Sequence, residues 1–130
     1  MKEEGGTKKK EVVDLRTRTK EFALRIIRLY SGLSKQTEAQ VIGRQMIRSG
    51  TSVGANYREA YRARSKAEFI SKVGECLKEI EETGYWLELL GDSGIVSEEQ
   101  LAGLTDECGE LTAIFVASIR RAKRSDERGA

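Results

Sequence analysis

The sequence predicts an all-α fold, an up-down-up-down antiparallel four-helix bundle. Three observations predict it. Apolar residues recur at spacings of mostly three, four and seven in four separate segments. Proline is absent from all 130 residues, which suits long uninterrupted helices. Strand-like alternation bounded by turn pairs is missing.

The elements follow in order. Residues 1–13 open with "MKEEGGTKKK", charged and without apolar period, and read as a disordered tail; residues 125–130 read the same way. The bundle is expected over 14–124. Its first segment carries Leu15, Phe22, Ile26, Leu29, Tyr30 and Leu33, and "SGLSKQT" marks the first turn. The second carries Ile42, Met46, Val53, Tyr57 and Ala60, then "YRARSK" makes a tight corner or kink. Next, "SKAEF" sets Ser65 three residues before Glu68, a reciprocal capping pair that opens the third segment. That segment carries Phe69, Val73, Leu77, Ile80, Leu87 and Leu90. Its end, "GDSG", supplies Gly91 and Gly94 for a left-handed helix ending. Ser97 and Gln100 in "SEEQL" cap the fourth segment, with Leu101, Leu104, Leu111, Phe115 and Ile119. Helices of roughly 20 to 28 residues are rods about 30 to 40 Å long, and short connections make neighbours antiparallel.

One stretch, "SGTSVGANYREAYRARSK" from Ser49 to Lys66, resembles a glycine loop at first sight. On a helical wheel its apolar phase does not slip: Ile42, Met46, Ser49, Val53, Tyr57 and Ala60 share a side, opposite Arg44, Arg48, Thr51, Ala55, Arg58 and Arg62. A continuous helix is therefore expected. A phosphate-binding P-loop is excluded, because the spacing differs, no lysine follows Gly54 and no strand precedes it. Gly50 and Gly54 lie four apart on one flank with Ile47 and Tyr61. Two such glycines signal close backbone approach, either within the bundle or from another subunit. Asn56, at the edge of the apolar face, and Trp86, off the main stripe of the third segment, join Gly50, Gly54 and Tyr61 as candidate oligomer-interface residues.

Composition narrows the chemistry. The chain has no histidine, so His-based nucleophile systems and the Glu-x-x-His di-metal sites of bundles are excluded. Glu75, Glu79 and Glu82 share a face but lack such partners. The expectation is a non-enzyme with no cofactor and no metal. Cys76 and Cys108 lack CxxC spacing and read as small buried hydrophobes. With no apolar run near 18 residues and no apolar leader, the expected address is the cytoplasm, without a membrane partner. Net charge is only +2, yet it is unevenly spread. Arg44, Arg48, Arg58 and Arg62 form a stripe, continued by Lys66. Arg16, Arg18, Lys20, Arg25 and Arg28 crowd the first segment, and "RRAKR" ends the fourth, whereas the third is dominated by glutamates. Such a stripe fits solvent, a phosphate backbone or the acidic face of a neighbouring subunit.

From Arg48 to Leu90 the chain carries R-S-x-x-S-V-x-x-N-Y-x-E-A, then K-x-x-F-I-x-K, then K-E-x-x-E-T-x-Y-W-L-E-L-L, interrupted by Gly84. It resembles the four-helix-bundle family encoded in intervening sequences of bacterial large-subunit ribosomal RNA genes, over residues 14–124. The resemblance implies a ring-like homopentamer without established enzymatic activity. It extends to accessory proteins of diversity-generating retroelements, basic pentameric rings that bind nucleic acid and a reverse transcriptase. The expected function is a non-enzymatic homo-oligomer that binds nucleic acid, RNA foremost, through Arg44, Arg48, Arg58, Arg62, Arg120, Arg121, Lys123 and Arg124. The competing expectation is a protein scaffold whose arginines pair with acidic helices of neighbouring subunits.

Overall fold

The computed structural model describes residues 14–129, with side chains through Ser125. The tail expected at 1–13 lies outside the described residues, as does Ala130. Four helices follow one another: α1 (Leu15–Ser31), α2 (Thr37–Tyr61), α3 (Lys66–Asp92) and α4 (Glu98–Gly129). They pack in ring order as the predicted up-down-up-down bundle. The α2–α3 pair is the most extensive contact, and α1 meets α4 only lightly.

The termini are chemically determined. Asp14 caps α1, accepting from Arg16 N at 3.2 Å and Thr17 N at 3.4 Å. The Thr17 hydroxyl donates to the same carboxylate at 3.1 Å. These bonds from Thr17 hold the Asp14 carboxyl below its ordinary value, since they favour the charged form. Ser65 Oγ accepts from Glu68 N at 3.0 Å, and the Glu68 carboxylate reaches back to Arg64 N at 3.0 Å. Ser97 Oγ accepts from Gln100 N at 3.2 Å. Of the two glycines expected to end α3, only Gly94 is left-handed, with φ 78°. Gly91 stays inside the helix, where a Cβ would stand 3.0 Å from Leu101 Cδ1 and crowd α4. The backbone expected as a tail at 125–130 is helical through Gly129, so α4 outruns the predicted boundary.

The core gathers one stripe from each helix: Phe22 and Ile26, Met46 and Val53, Val73, Ile80, Leu87 and Leu90, then Leu111 and Phe115, all essentially buried. Burying each such side chain stabilises the fold by about 1.5–3 kcal/mol. A polar seam crosses this core. Ser49 Oγ and Thr83 Oγ1 share a hydrogen bond of 2.8 Å between α2 and α3, and Thr83 donates to Glu79 O at 2.8 Å. Both hydroxyls are thereby satisfied where an unpaired one would cost about 1–3 kcal/mol. Cys76 and Cys108 are buried free thiols, each pushed up to about 12 by desolvation.

The continuous helix through residues 49–56 is confirmed, and its small residues have a partner within the chain. A Cβ at Gly54 would stand 3.2 Å from Thr19 Oγ1, and Gly43 admits Leu33 and Tyr30 in the same way. These residues bring α1 close along the length of α2. Gly50 is buried beneath α1, against Ile26. Gly54 is half-buried on the same flank.

Candidate nucleic-acid interface

Antiparallel packing brings the start of α1, the end of α2, the start of α3 and the end of α4 to one end of the bundle. The contacts fix this arrangement. Arg16 lies over the Tyr61 ring, 4.1 Å from its centroid, and Lys66 Nζ donates to Ser125 Oγ at 2.8 Å. Each of these helix ends is basic. Arg16 and Lys20 come from α1, Arg58 and Arg62 from α2 and its cap, Arg64 from the corner, and Arg120, Arg121, Lys123 and Arg124 from α4. All nine side chains are exposed. Among the described residues only Arg16 meets a carboxylate, Asp14 at 3.8 Å. The other eight have no ion-pair partner there.

Concavities run between these side chains. A groove of about 240 Å³ between α1 and α2 is floored by Ala23, Gly54 and Ala55 and flanked by Arg16, Lys20 and Arg58. Arg58 also borders a hollow of about 470 Å³ at the α2–α3 corner, together with Arg62, Arg64 and the carboxylates of Glu59 and Glu68. Of these two, Glu59 pairs with Lys72 and Glu68 accepts from Arg64 N. Across the end, Arg121 links a hollow beside Lys66 and Phe69 to a third surface lined by Arg120 and Arg124. The result is a cationic track around the bundle end.

The predicted arginine stripe of α2 divides. Arg58 and Arg62 stand on the track, with the four residues from the end of α4. Arg48 does not. It turns toward α3, where it pairs with Glu82 and lies 3.6 Å from Glu79 Oε1. Glu82 Oε2 also accepts from Trp86 Nε1 at 3.0 Å. Arg48 thus acts as a cross-helix staple, because its charge is compensated within the chain. Arg44 is exposed beside Gly43, which packs on Tyr30 and Leu33 at the opposite end of the bundle. Neither of these two stands on the track at the basic end. Arg18 is likewise committed, donating from Nε and Nη2 to the two oxygens of Glu107 at 2.7 and 2.9 Å, with Glu110 as a further partner. This fork holds the light α1–α4 seam, and it raises the Arg18 pKa above its ordinary value.

Arg64 and the placement of Arg16 and Lys20 were missed as site residues. The antiparallel pairing of "LRTRTK" with "NYREAYR" is the signal that finds them, since it sets Arg16 beside Tyr61. Tyr61 itself is 55% exposed among these cations. Asn56 and Trp86 are half-buried.

The α3–α4 side of the opposite end is acidic. Between Lys78 and Arg120 the chain carries ten Asp and Glu residues and neither Lys nor Arg. Four of them, Glu88, Asp92, Glu98 and Glu99, flank the α3–α4 hairpin tip. Glutamates expected as a metal-like face are instead distributed: Glu79 and Glu82 serve Arg48, and Glu75 pairs with Lys78 at 3.7 Å. Among the described residues no helix is long and apolar enough to cross a membrane.

Comparison with known proteins agrees with this architecture. The family model for the 23S rRNA-intervening sequence protein matches residues 11–117. The chain is also similar to a solved structure, a protein of unknown function of the S23 ribosomal protein family from Bacteroides thetaiotaomicron. That likeness has a TM-score of 0.75 at 40% identity and covers 80% of this chain and 96% of the other. A search among curated proteins found no match. Arg120, Arg121, Lys123 and Arg124 lie beyond the span matched by the family model. With its four helices in the same arrangement and most of its length matched, the chain belongs to the 23S rRNA-intervening sequence protein family.

Proposed function

We propose that this chain is a non-enzymatic, cytoplasmic homo-oligomer that binds nucleic acid, RNA foremost, through the cationic end of its bundle. The pentameric ring implied by its resemblance is the assembly adopted in this reading. One observation carries the proposal: nine exposed Arg and Lys side chains from three helix ends and the α2–α3 corner converge, and eight of them lack a carboxylate partner among the described residues. Bringing like charges together is unfavourable for folding, so the arrangement makes physical sense when an anionic partner offsets it. Arginine forks match phosphate oxygens, and binding would release condensed counterions. Such contacts position a strand without reading its sequence.

Fluorescence anisotropy with a labelled 20-nucleotide RNA tests this at low salt, using the quadruple variant Arg58→Gln, Arg62→Gln, Arg121→Gln, Arg124→Gln. Loss of binding by tenfold or more is expected, whereas Arg44→Gln with Arg48→Gln should leave affinity nearly unchanged. Equal affinity in the quadruple variant would refute the proposal.

A second reading rests on the acidic hairpin tip. Six of the ten carboxylates between Lys78 and Arg120 have no ion-pair partner among the described residues, and opposite a basic end they also suit head-to-tail pairing between subunits or a basic protein partner such as a reverse transcriptase. Reversing charge at Arg58 and Arg62 separates the two. A smaller light-scattering mass favours the scaffold, while an intact oligomer that no longer binds RNA favours the nucleic-acid reading.

A further inference from the structure

The cationic end contains an exposed aromatic ring that neither the core nor charge explains. Tyr61 closes α2 with 55% of its surface exposed, the largest exposure among the chain's described large apolar residues. Arg16 covers one face of the ring, 4.1 Å from its centroid, and Tyr57 meets it obliquely, with centroids 6.5 Å apart and planes at 48°. The ring is therefore oriented on both counts yet open to solvent. Its neighbours in the sequence and across the groove are Arg58, Arg62 and Arg16, so the aromatic surface is embedded in the cationic track. Beside it the α1–α2 groove has a floor of Ala23, Gly54 and Ala55. That floor stays low because the close approach of Thr19 to Gly54 leaves little room for a side chain.

We propose that Tyr61 is a stacking platform for an unpaired base, which makes the basic end selective for single-stranded nucleic acid. This rests on the nucleic-acid reading above. Phosphates flanking the stacked base would be met by Arg58 and Arg62, and the sugar–phosphate backbone would lie along the small-residue groove. A duplex keeps its bases stacked on one another, so it can use the arginines but not the ring. Every base has a π-face, so the platform selects strandedness rather than sequence. Arg16, already seated over the ring, fixes its orientation before binding and lowers the ordering cost.

The test compares the full-length protein with Tyr61→Ala and Tyr61→Phe. The probes are a 12-nucleotide single-stranded RNA, the DNA strand of the same sequence and the corresponding RNA duplex, each with a light-scattering mass. Wild type should bind both single strands more tightly than the duplex. Tyr61→Ala should weaken both single strands by roughly 5- to 100-fold and shift the duplex less than about twofold. Tyr61→Phe should keep wild-type affinity, since the ring and not the hydroxyl is used. Equal losses on strand and duplex, or a change of oligomer mass in Tyr61→Ala, would overturn the platform. If wild type prefers the duplex or Tyr61→Ala is silent, the platform fails while nucleic-acid binding stands. Binding to none of the three probes removes both proposals.

Discussion

Gly50 lies directly against Ile26: a Cβ at position 50 would stand 3.0 Å from both Ile26 Cγ1 and Cγ2. Ile26 is fully buried and has no room to yield. Gly50→Ala gains about 1 kcal/mol of helix propensity but overpacks the α1–α2 contact at a cost of about 1–3 kcal/mol. A net loss of stability is expected in urea unfolding. Gly84 and Gly109 supply the contrast, since nothing lies within 4 Å of a Cβ at either position. Gly84→Ala and Gly109→Ala should each stabilise the protein, by up to about 1 kcal/mol. Stabilisation by Gly50→Ala would contradict the packing described.

Arg18 and Glu107 form a two-pronged ion pair across the thinnest seam of the bundle, with side chains 28% and 16% exposed. Arg18→Met leaves Glu107 half-enclosed without its partner, and a loss of roughly 1–3 kcal/mol is expected from the charged hydrogen bonds involved. Adding Glu107→Leu should restore much of it, because no orphaned charge remains. Equal stability of Arg18→Met and wild type would show that the seam does not need the pair.

Acidification should loosen α1 first at its N-terminus. The Asp14 carboxyl titrates below its ordinary 3.8 in the folded chain, held charged chiefly by Thr17. Its stabilising cap is therefore complete above the unfolded value and is lost as pH falls through the folded one. The protection factors of the amides in the first turn of α1, taken against the intrinsic exchange rate at each pH, should fall between pH 5 and pH 2.5. Asp14→Ala should show the lowered protection there at every pH.

Both thiols should resist labelling. Burial pushes Cys76 and Cys108 up to about 12, so the reactive thiolate is scarce at pH 8. A disulfide-exchange reagent should titrate neither cysteine in the native protein and both in 6 M guanidinium chloride. Fast native labelling would mean that α3 or α4 opens readily.

The helical architecture was legible because periodicity is a local property, and it held even through "SGTSVGAN". Partner identity was not. A wheel shows that Gly50 and Gly54 share a flank, but only packing shows that α1 fills it. Arg48 illustrates the same limit: its sequence neighbours place it in a basic stripe, while its partners Glu79 and Glu82 lie on another helix in a register that the chain order does not reveal. Arg58, Arg62 and the end of α4 were legible as charge. Their meeting with Arg16, Lys20 and Tyr61 depends on antiparallel helix ends, a tertiary fact. The extension of α4 to Gly129 is not legible, because "SDERGA" carries no apolar period to mark a helix.

Salt dependence tests the central claim most directly. Phosphate contacts release counterions, so the logarithm of RNA affinity should fall linearly with the logarithm of salt, by about 0.7 for each contact to a single strand. Four to six contacts by the cationic end predict a slope of about −3 to −4, and each substitution among Arg58, Arg62, Arg121 and Arg124 should make it shallower by about 0.7. A flat salt response, or no detectable RNA binding at 50 mM salt, would contradict the account.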